Sequence, residues 1–188
     1  IARAETHPIL QNRCFSNEAA QVAVMGAAAV QGLADEGVLP VLKHMPGHGL
    51  ARVDSHLQLP RVGASLAELR ENDFKPFAAL KDWPMGMSAH VVYEEIDDLP
   101  ATISPKMIGL IRKEIGFDGL LMSDDISMEA LGGSLAERST AALAAGCDVI
   151  LHCNGRLDDI RQTAADSGVL SPEGQRRALA ALRRRCDP

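Results

Sequence analysis

The sequence lacks the features that identify a membrane protein, an exported protein or a nucleic-acid-binding protein. No apolar run is long enough to cross a membrane, and the N-terminus shows no signal-peptide pattern. The net charge of −6 argues against a partner that bulk charge would attract, such as a nucleic acid or an anionic membrane. One basic cluster, Arg176 to Arg185, is interpreted as the solvated face of a last helix. No linker or repeat interrupts the 188 residues, which predicts a single domain over residues 1–188.

The cysteines are too few and too widely spaced to form a C-x-x-C metal or redox motif. They are Cys14, Cys147, Cys153 and Cys186. Cys147 and Cys153 flank an apolar stretch, which favours buried, reduced thiols. A zinc site that uses Cys147, His152 and Cys153 is less favoured, because neighbours on a strand point to opposite faces. Unpaired thiols without a signal peptide predict a cytoplasmic protein.

A dinucleotide-binding motif is also absent, although the predicted secondary structure alternates as in an α/β protein. Four apolar runs have the length of strands: Val38–Lys43, Met85–Val92, Gly119–Ser123 and Asp148–Cys153. Helices are predicted between these runs, with one from about Asn17 to Asp35 before the first and two after the last. This alternation predicts a parallel sheet covered by helices, either doubly wound or a (β/α)₈ barrel. No G-x-G-x-x-G follows a strand, which weakens the dinucleotide-binding version.

Capping residues mark the helix boundaries. Ser65 and Ser134 each precede a glutamate by three positions, which is the spacing of a capping box. Ser104 precedes a proline, which is tolerated at the first position of a helix because its missing N–H has no partner there. Gly116 and Gly146 are predicted to end the helices that begin after Ser104 and Ser134.

Polar side chains cluster where the predicted strands end. They are Lys43-His44, His90, Ser123-Asp124-Asp125, and His152 with Asn154. In a (β/α) barrel, the C-terminal ends of the strands form the active-site face. We therefore expect these residues to lie near one end of four parallel strands.

The densest group of reactive side chains follows the first predicted strand. It reads K-H-M-P-G-H-G from Lys43 to Gly49 and continues to Asp54-Ser55-His56. Asp54 could orient the imidazole of His56 and tune its basicity, as in an acid/base dyad. The group could instead form structural hydrogen bonds, or it could bind a divalent metal. The candidate metal ligands are His44, His48, Asp54 and His56.

The same loop is expected to move. Two glycines flank His48, and few apolar residues are available to anchor the segment Pro46–His56. A histidine that acts first as an acid and then as a base would be served by a loop that closes on its substrate. Without a ligand, the loop is predicted to be mobile or displaced from Asp124.

A second group of candidate residues ends the third predicted strand. Asp125 is interpreted as a cap of the next helix. Asp124 is a carboxylate at a strand end beside a histidine-rich loop, and it could be a nucleophile or a metal ligand. Arg13 lies just before a helix start, where most arginines are solvated, so alone it indicates little.

Together these segments resemble the family 3 glycoside hydrolases, in particular the NagZ-type β-N-acetylhexosaminidases. The segment from Lys43 to Pro60 is similar to the subgroup signature K-H-x-P-G-H-G-x(4)-D-S-H-x-x-L-P. The run from Ile111 to Ser127 is similar to the family-wide nucleophile pattern, in which the aspartate directly after Ser or Thr attacks the sugar. The segment Asn12–Ser16 resembles an N-R-S-F-S element, with Cys14 in place of serine. The resemblance covers essentially the whole chain.

The resemblance implies a retaining glycosidase that needs no metal or other cofactor. Its expected catalytic residues are Asp124 as nucleophile, His56 as acid/base and Asp54 as the stabiliser of cationic His56. Its expected sugar-binding residues are Arg13, Lys43 and His44. The implied substrate is a small carbohydrate, a GlcNAc–1,6-anhydroMurNAc muropeptide from cell-wall recycling.

The resemblance also implies a larger fold than this chain can form by itself. Family members have a complete eight-stranded barrel, whereas about four strand–helix units are present here. The expected fold class is therefore α/β of the parallel (β/α) barrel type, with the chain as its C-terminal half. An N-terminal half should supply four strands and an aspartate that grips the sugar, unless a second copy completes the barrel. Two other functions stay open, a metal-dependent hydrolase and a non-catalytic sugar-binding half-barrel.

Overall fold

A computed structural model describes residues 1–185 of the chain, so Cys186 lies outside the described part. The strands are β1 (Leu42–Met45), β2 (Arg61–Val62), β3 (Met85–Ser88), β4 (Val92–Tyr93), β5 (Leu120–Asp125) and β6 (Val149–Leu151). The helices are α1 (Pro8–Gln11), α2 (Ala19–Asp35), α3 (Leu66–Glu71), α4 (Lys75–Ala79), α5 (Pro105–Leu110), α6 (Leu135–Ala145), α7 (Leu157–Ser167) and α8 (Pro172–Leu182). Within this range, none of the helices is long and apolar enough to span a membrane.

The main sheet has four parallel strands in the order β1-β3-β5-β6. Each of the four predicted apolar runs supplies one of these strands, which confirms the predicted parallel sheet. The register pairs Met85 with Leu120 and Met87 with Met122. Two very short strands, β2 and β4, form a separate parallel pair that the sequence did not indicate. Two-residue strands carry too little periodicity to be recognised in a sequence.

The helix boundaries follow the capping residues closely. Ser134 forms a complete capping box with Glu137 at the start of α6, and Ser104 accepts a hydrogen bond from the Met107 N–H at the start of α5. Ser65 also caps α3, but only its own half of the predicted capping box is formed. A π-helical segment, Ile111–Ile115, continues α5 and ends at Gly116, and α6 ends at Gly146. Both glycines adopt the left-handed conformation, with φ of 79° and 113°. Apart from the second half of the Ser65 box, these predictions are confirmed. They could be made from the sequence because capping depends on residues within one turn of each other.

The core lies between the sheet and its covering helices. Its fully buried large side chains include Met45, Leu69, Tyr93, Met107, Ile111, Phe117, Leu121, Ile126 and Leu131. Close packing restricts the residue that precedes β5. A Cβ atom on Gly119 would lie 2.6 Å from the Phe117 ring and 2.7 Å from the carbonyl oxygens of Trp83 and Pro84. Only glycine fits there without moving the backbone.

A buried carboxylate connects the last helix to the sheet. Asp148 precedes β6 and binds Arg112 at 2.6 Å and Arg177 at 2.9 Å, and it accepts the N–H of Leu121 at 2.8 Å. Arg177 and Arg176 also bind Asp118. The interpretation of the C-terminal arginines as a solvated face is therefore wrong for Arg177, whose side chain is 15% exposed, whereas Arg176 binds Asp118 on the exposed surface. A sequence cannot reveal ion pairs to residues some thirty to sixty positions away.

Removing the Asp148 carboxylate is expected to destabilise the fold. In Asp148→Ala, buried Arg112 loses its carboxylate partner and Arg177 keeps only exposed Asp118, so we expect the free energy of unfolding to fall by about 3 kcal/mol. Urea denaturation measures the change. The exposed pair between Asp82 and Lys81 provides the control, and Asp82→Ala should have no measurable effect. Equal stability of the two variants would show that the buried network contributes nothing.

Candidate active site

The C-terminal ends of the parallel strands enclose a cavity of about 230 Å³. Each of the six site residues predicted from the sequence borders it: Arg13, Lys43, His44, Asp54, His56 and Asp124. They come from separate parts of the chain, namely the segment before α2, strand β1, the loop after β1 and the end of β5. The cavity therefore brings together a carboxylate, an imidazole–carboxylate pair and two cationic side chains.

Asp124 is held in a defined orientation at the end of β5. Its side chain is buried, and Oδ1 accepts the backbone N–H of Asp125 at 2.8 Å. The other oxygen, Oδ2, lies 3.6 Å from Nε2 of His44. This distance is too long for a hydrogen bond, so Oδ2 keeps its lone pairs available within the cavity.

His44 is a neutral neighbour of Asp124. Burial lowers the pKa of His44 to about 3, because the cost of desolvating the cation exceeds the attraction of Asp124. The rings of His44 and His48 pack edge to face with centroids 5.5 Å apart. Burial also lowers the pKa of His48. Near neutral pH, both rings are therefore uncharged, and the His44–Asp124 contact is not an ion pair.

Asp54 and His56 form the close pair that their spacing predicts. Nδ1 of His56 lies 2.7 Å from Asp54 Oδ1, and the same oxygen accepts the backbone N–H of His56 at 2.9 Å. These two hydrogen bonds, the backbone one foremost, lower the pKa of Asp54 and keep it ionised. The His56 side chain is 55% exposed. With Nδ1 engaged by the carboxylate, Nε2 is the ring nitrogen left to exchange a proton with a ligand.

The two cations of the cavity are not neutralised by carboxylates. Arg13 and Lys43 are both exposed, and neither forms an ion pair within residues 1–185. Their charges reach His44 and help to lower its pKa. Both side chains are therefore free to donate hydrogen bonds to a bound ligand.

The first half of the loop after β1 is firmly anchored. The hydroxyl of buried Tyr93 donates to the carbonyl of Gly47, and Thr6 Oγ1 donates to the carbonyl of Gly49 at 2.6 Å. Gly47 has φ of 143°, and a Cβ atom there would lie 2.9 Å from Cβ of Asp73. Hydrogen bonds therefore anchor Pro46–Ala51, where the sequence offered few apolar residues to do so. The mobility of the loop, and of the part that carries His56 in particular, stays a prediction.

Asp125 has a different role from the one its position suggested. It does not cap a helix, because α6 begins ten residues later and is capped by Ser134. Its carboxylate instead accepts hydrogen bonds from the N–H and hydroxyl of Ser127, from the N–H of Cys153 and from the side chain of Asn154. Asp125 therefore ties the loop after β5 to the loop after β6. No pattern in the sequence indicates this link, because the residues that bind Asp125 come from two different loops.

His90 is a structural histidine beneath the cavity. It is fully buried, with Nδ1 2.8 Å from the Thr102 hydroxyl and Nε2 3.0 Å from the carbonyl oxygen of Asp125. A carbonyl only accepts, so Nε2 carries the proton and donates it to this bond. Burial lowers the pKa of His90, which keeps the ring neutral. His90 thus supports the strand end that carries Asp124 without bordering the cavity.

The cysteines occupy unlike environments. Cys147 is buried, which raises the pKa of its thiol to about 12, as expected for an inert, reduced side chain. Cys153 is exposed and borders the cavity. Within residues 1–185, no group of three or more His, Cys, Asp or Glu side chains has a geometry suited to a metal ion.

Comparison with known proteins places these features in a family. The sequence model described as "Glycosyl hydrolase family 3 N terminal domain" matches residues 1–179. A protein named Beta-hexosaminidase from Idiomarina loihiensis is 35% identical over 173 residues, which are 90% of this chain and 52% of that protein. Another of the same name, from Tolumonas auensis, is 39% identical over 176 residues, or 89% of this chain and 51% of that protein. The chain thus spans about half the length of these curated relatives.

Solved structures agree with the sequence matches. NagZ from Neisseria gonorrhoeae, in complex with N-trifluoroacetyl-D-glucosamine, superposes with a TM-score of 0.85 at 34% identity, covering 96% of this chain and 53% of that one. A family 3 beta-N-acetylglucosaminidase from Paenibacillus sp. superposes with a TM-score of 0.87 at 30% identity, covering 96% and 37%. The resemblance seen in the sequence is confirmed. So is the predicted fold class, a parallel (β/α) barrel of which about four strand–helix units are present.

The buried histidines should make stability fall as the solution is acidified. The pKa of His44 is about 3 in the folded chain against 6.5 in the unfolded one, so below pH 6.5 the unfolded chain binds the extra proton. Between about pH 7.5 and about pH 5.5, His44 therefore lowers the free energy of unfolding by about 1.4 kcal/mol. His44→Gln should remove that share, as measured by urea denaturation at both pH values. Met87→Leu, which removes no titratable group, should keep the pH dependence of the parent.

Proposed function

The chain belongs to glycoside hydrolase family 3, and on that premise we propose that it carries the C-terminal half of the catalytic barrel of a retaining β-N-acetylglucosaminidase. One observation carries the proposal. Asp124 and the Asp54–His56 pair border the same cavity, so a carboxylate nucleophile and a proton-transferring imidazole can act on one sugar. The matched relatives are named as beta-hexosaminidases, and one matched structure holds an N-acylated glucosamine.

In the first chemical step, an Asp124 carboxylate oxygen attacks the anomeric carbon of the terminal GlcNAc. The bond from that carbon to the leaving-group oxygen breaks, and His56 gives its proton to this oxygen. The product is a covalent glycosyl ester of Asp124. Because Oδ2 accepts no hydrogen bond from the neutral His44 ring, its electron pair remains available for attack.

In the second step, neutral His56 takes a proton from water as the water oxygen attacks the anomeric carbon. The ester bond to Asp124 breaks, and the two inversions give net retention of configuration. Asp54 stays ionised throughout and stabilises the imidazolium form of His56, which must exist before the first step and after the second.

The cationic side chains of the cavity can donate hydrogen bonds to the oxygen atoms of a polar, uncharged sugar. Arg13 and Lys43 are placed to donate to hydroxyl or acetamido oxygens, and neutral His44 can donate or accept beside Asp124. No step requires a metal or another cofactor. The proposed physiological substrate is a GlcNAc–1,6-anhydroMurNAc muropeptide released during cell-wall recycling in the cytoplasm, as the sequence resemblance implies.

We further propose that the working enzyme contains a second half-barrel. The main sheet has two open edges, β1 and β6, and each adjoins a cleft: about 320 Å³ beside β1 and about 700 Å³ beside β6. Open parallel edges are not a stable end point for a monomer. Because the chain spans about half of its curated relatives, an N-terminal half of four strands is the favoured occupant, and a second copy is the alternative.

Hydrolysis of a chromogenic β-GlcNAc tests both parts of the proposal. We expect little or no turnover by this chain alone and robust turnover when an N-terminal half is supplied, either fused or in trans. EDTA should leave that turnover unchanged, because the chemistry rests on carboxylate and imidazole groups. Sugar binding without turnover by the complete barrel would instead support a non-catalytic sugar-binding protein.

Substitution of the two main catalytic residues should produce different defects. Asp124→Ala removes the covalent route, so no leaving group should rescue the activity of the complete enzyme. His56→Ala removes proton transfer, a loss of roughly 10²–10⁴-fold, and should retain more activity on aryl glycosides, whose leaving groups need little protonation. The measurement compares an aryl β-GlcNAc with a natural disaccharide.

Azide provides the sharper test of His56. In His56→Ala, hydrolysis of the glycosyl ester should limit turnover, and azide should accelerate it because azide needs no general base. A β-glycosyl azide is the expected product. Asp158→Ala, which removes an exposed carboxylate outside the cavity, serves as the control and should behave as the parent. If no azide adduct forms and both substrates lose rate equally, His56 is not the acid/base.

A further inference from the structure

The turn that carries the Asp54–His56 pair has one buried member. Ser55 stands between the two residues in the chain and is 7% exposed, although His56 beside it is exposed. Its hydroxyl lies 3.3 Å from Nε2 of His48. Of the side-chain hydrogen bonds that residues 53–58 make within the described part of the chain, this one alone leaves the turn.

The partner in this bond, His48, is itself fixed to the other side of the cavity. Its ring packs edge-on against His44, whose Nε2 lies 3.6 Å from Asp124. Nδ1 of His48 is buried and has no hydrogen-bond partner in the range 1–185. The bond between Nε2 and the Ser55 hydroxyl is therefore the single hydrogen bond of this ring within that range. The backbone on either side of His48 is held by Tyr93 and Thr6.

We propose that His48 and Ser55 are positioning residues whose hydrogen bond latches the turn carrying the acid/base pair to the site of the nucleophile. The latch lies in a continuous series of contacts from Asp124 through His44 and His48 to Ser55. Neither latch residue touches the reacting atoms. Their assignment to catalysis rests on the proposed function, whereas the latch itself does not.

Proteolysis of the chain, joined to an N-terminal half that completes the barrel, tests the latch without any enzyme assay. Arg52 is exposed at the start of the turn, so trypsin can cut after it when the turn opens, and the cleavage rate follows the open population. Ser55→Ala should raise the rate of cleavage between Arg52 and Val53 by roughly five-fold, as for the loss of one ordinary hydrogen bond. Trypsin also cuts after other lysines and arginines, so mass spectrometry of the new termini is used to measure the cleavage after Arg52 separately.

Matched variants separate the latch from a general loss of stability. Ser65→Ala removes an exposed helix-capping hydroxyl and should not alter cleavage after Arg52. His48→Phe keeps a ring but loses the bond, and the double variant with Ser55→Ala should be cut no faster than the faster single variant. Unchanged cleavage in Ser55→Ala, or effects that multiply in the double variant, would overturn the latch.

A second measurement on the complete enzyme tests the catalytic part of the proposal. Ser55→Ala should slow hydrolysis of a natural disaccharide more than that of a nitrophenyl β-GlcNAc, because only the former depends strongly on protonation by His56. An equal loss on both substrates would overturn the positioning role. A parent enzyme that hydrolyses neither would refute the proposed function, and the cleavage after Arg52 would still decide the latch.

Discussion

The common direction of four strands is the constraint on which the site depends. Because β1, β3, β5 and β6 run parallel, their C-terminal ends all lie at the same end of the sheet. The side chains that follow β1 and β5 are thereby brought together, although His44 and Asp124 are eighty positions apart in the chain. Hydrogen bonds of Asp125 to Cys153 and Asn154 then join the loops after β5 and β6. If one strand ran in the reverse direction, the polar residues that follow it would lie at the opposite end of the sheet.

The two candidate carboxylates differ because their surroundings differ. Asp124 is buried beside a histidine that burial keeps neutral, so no cationic imidazole competes for its electrons. Asp54 lies on a more open turn and binds a histidine whose ring reaches solvent, where a proton can be gained and lost. Distinct environments of this kind are how one fold assigns different tasks to similar groups. The contacts through His48 and Ser55 join the two environments.

Features that depend on neighbouring residues could be predicted from the sequence. The four strands were recognisable as apolar runs, and the caps at Ser104 and Ser134 needed only residues three positions away. The Asp54–His56 pair likewise follows from a spacing of two. The role of Asp125 was predicted wrongly, and the anchoring of Gly47 by Tyr93 was missed, because both depend on partners from other elements.

The sequence by itself determined the order of strands and helices, the local caps and the residue types available for chemistry, since these depend on short-range periodicity and backbone sterics. The tertiary structure decided which of those residues are buried and which meet. Arg177 illustrates the difference: its charge suggested a solvated helix face, but folding brings it to Asp148. His44 is another case, because only burial in the packed site makes its imidazole neutral beside Asp124. Desolvation and charge proximity act through space, and a linear sequence does not contain those distances.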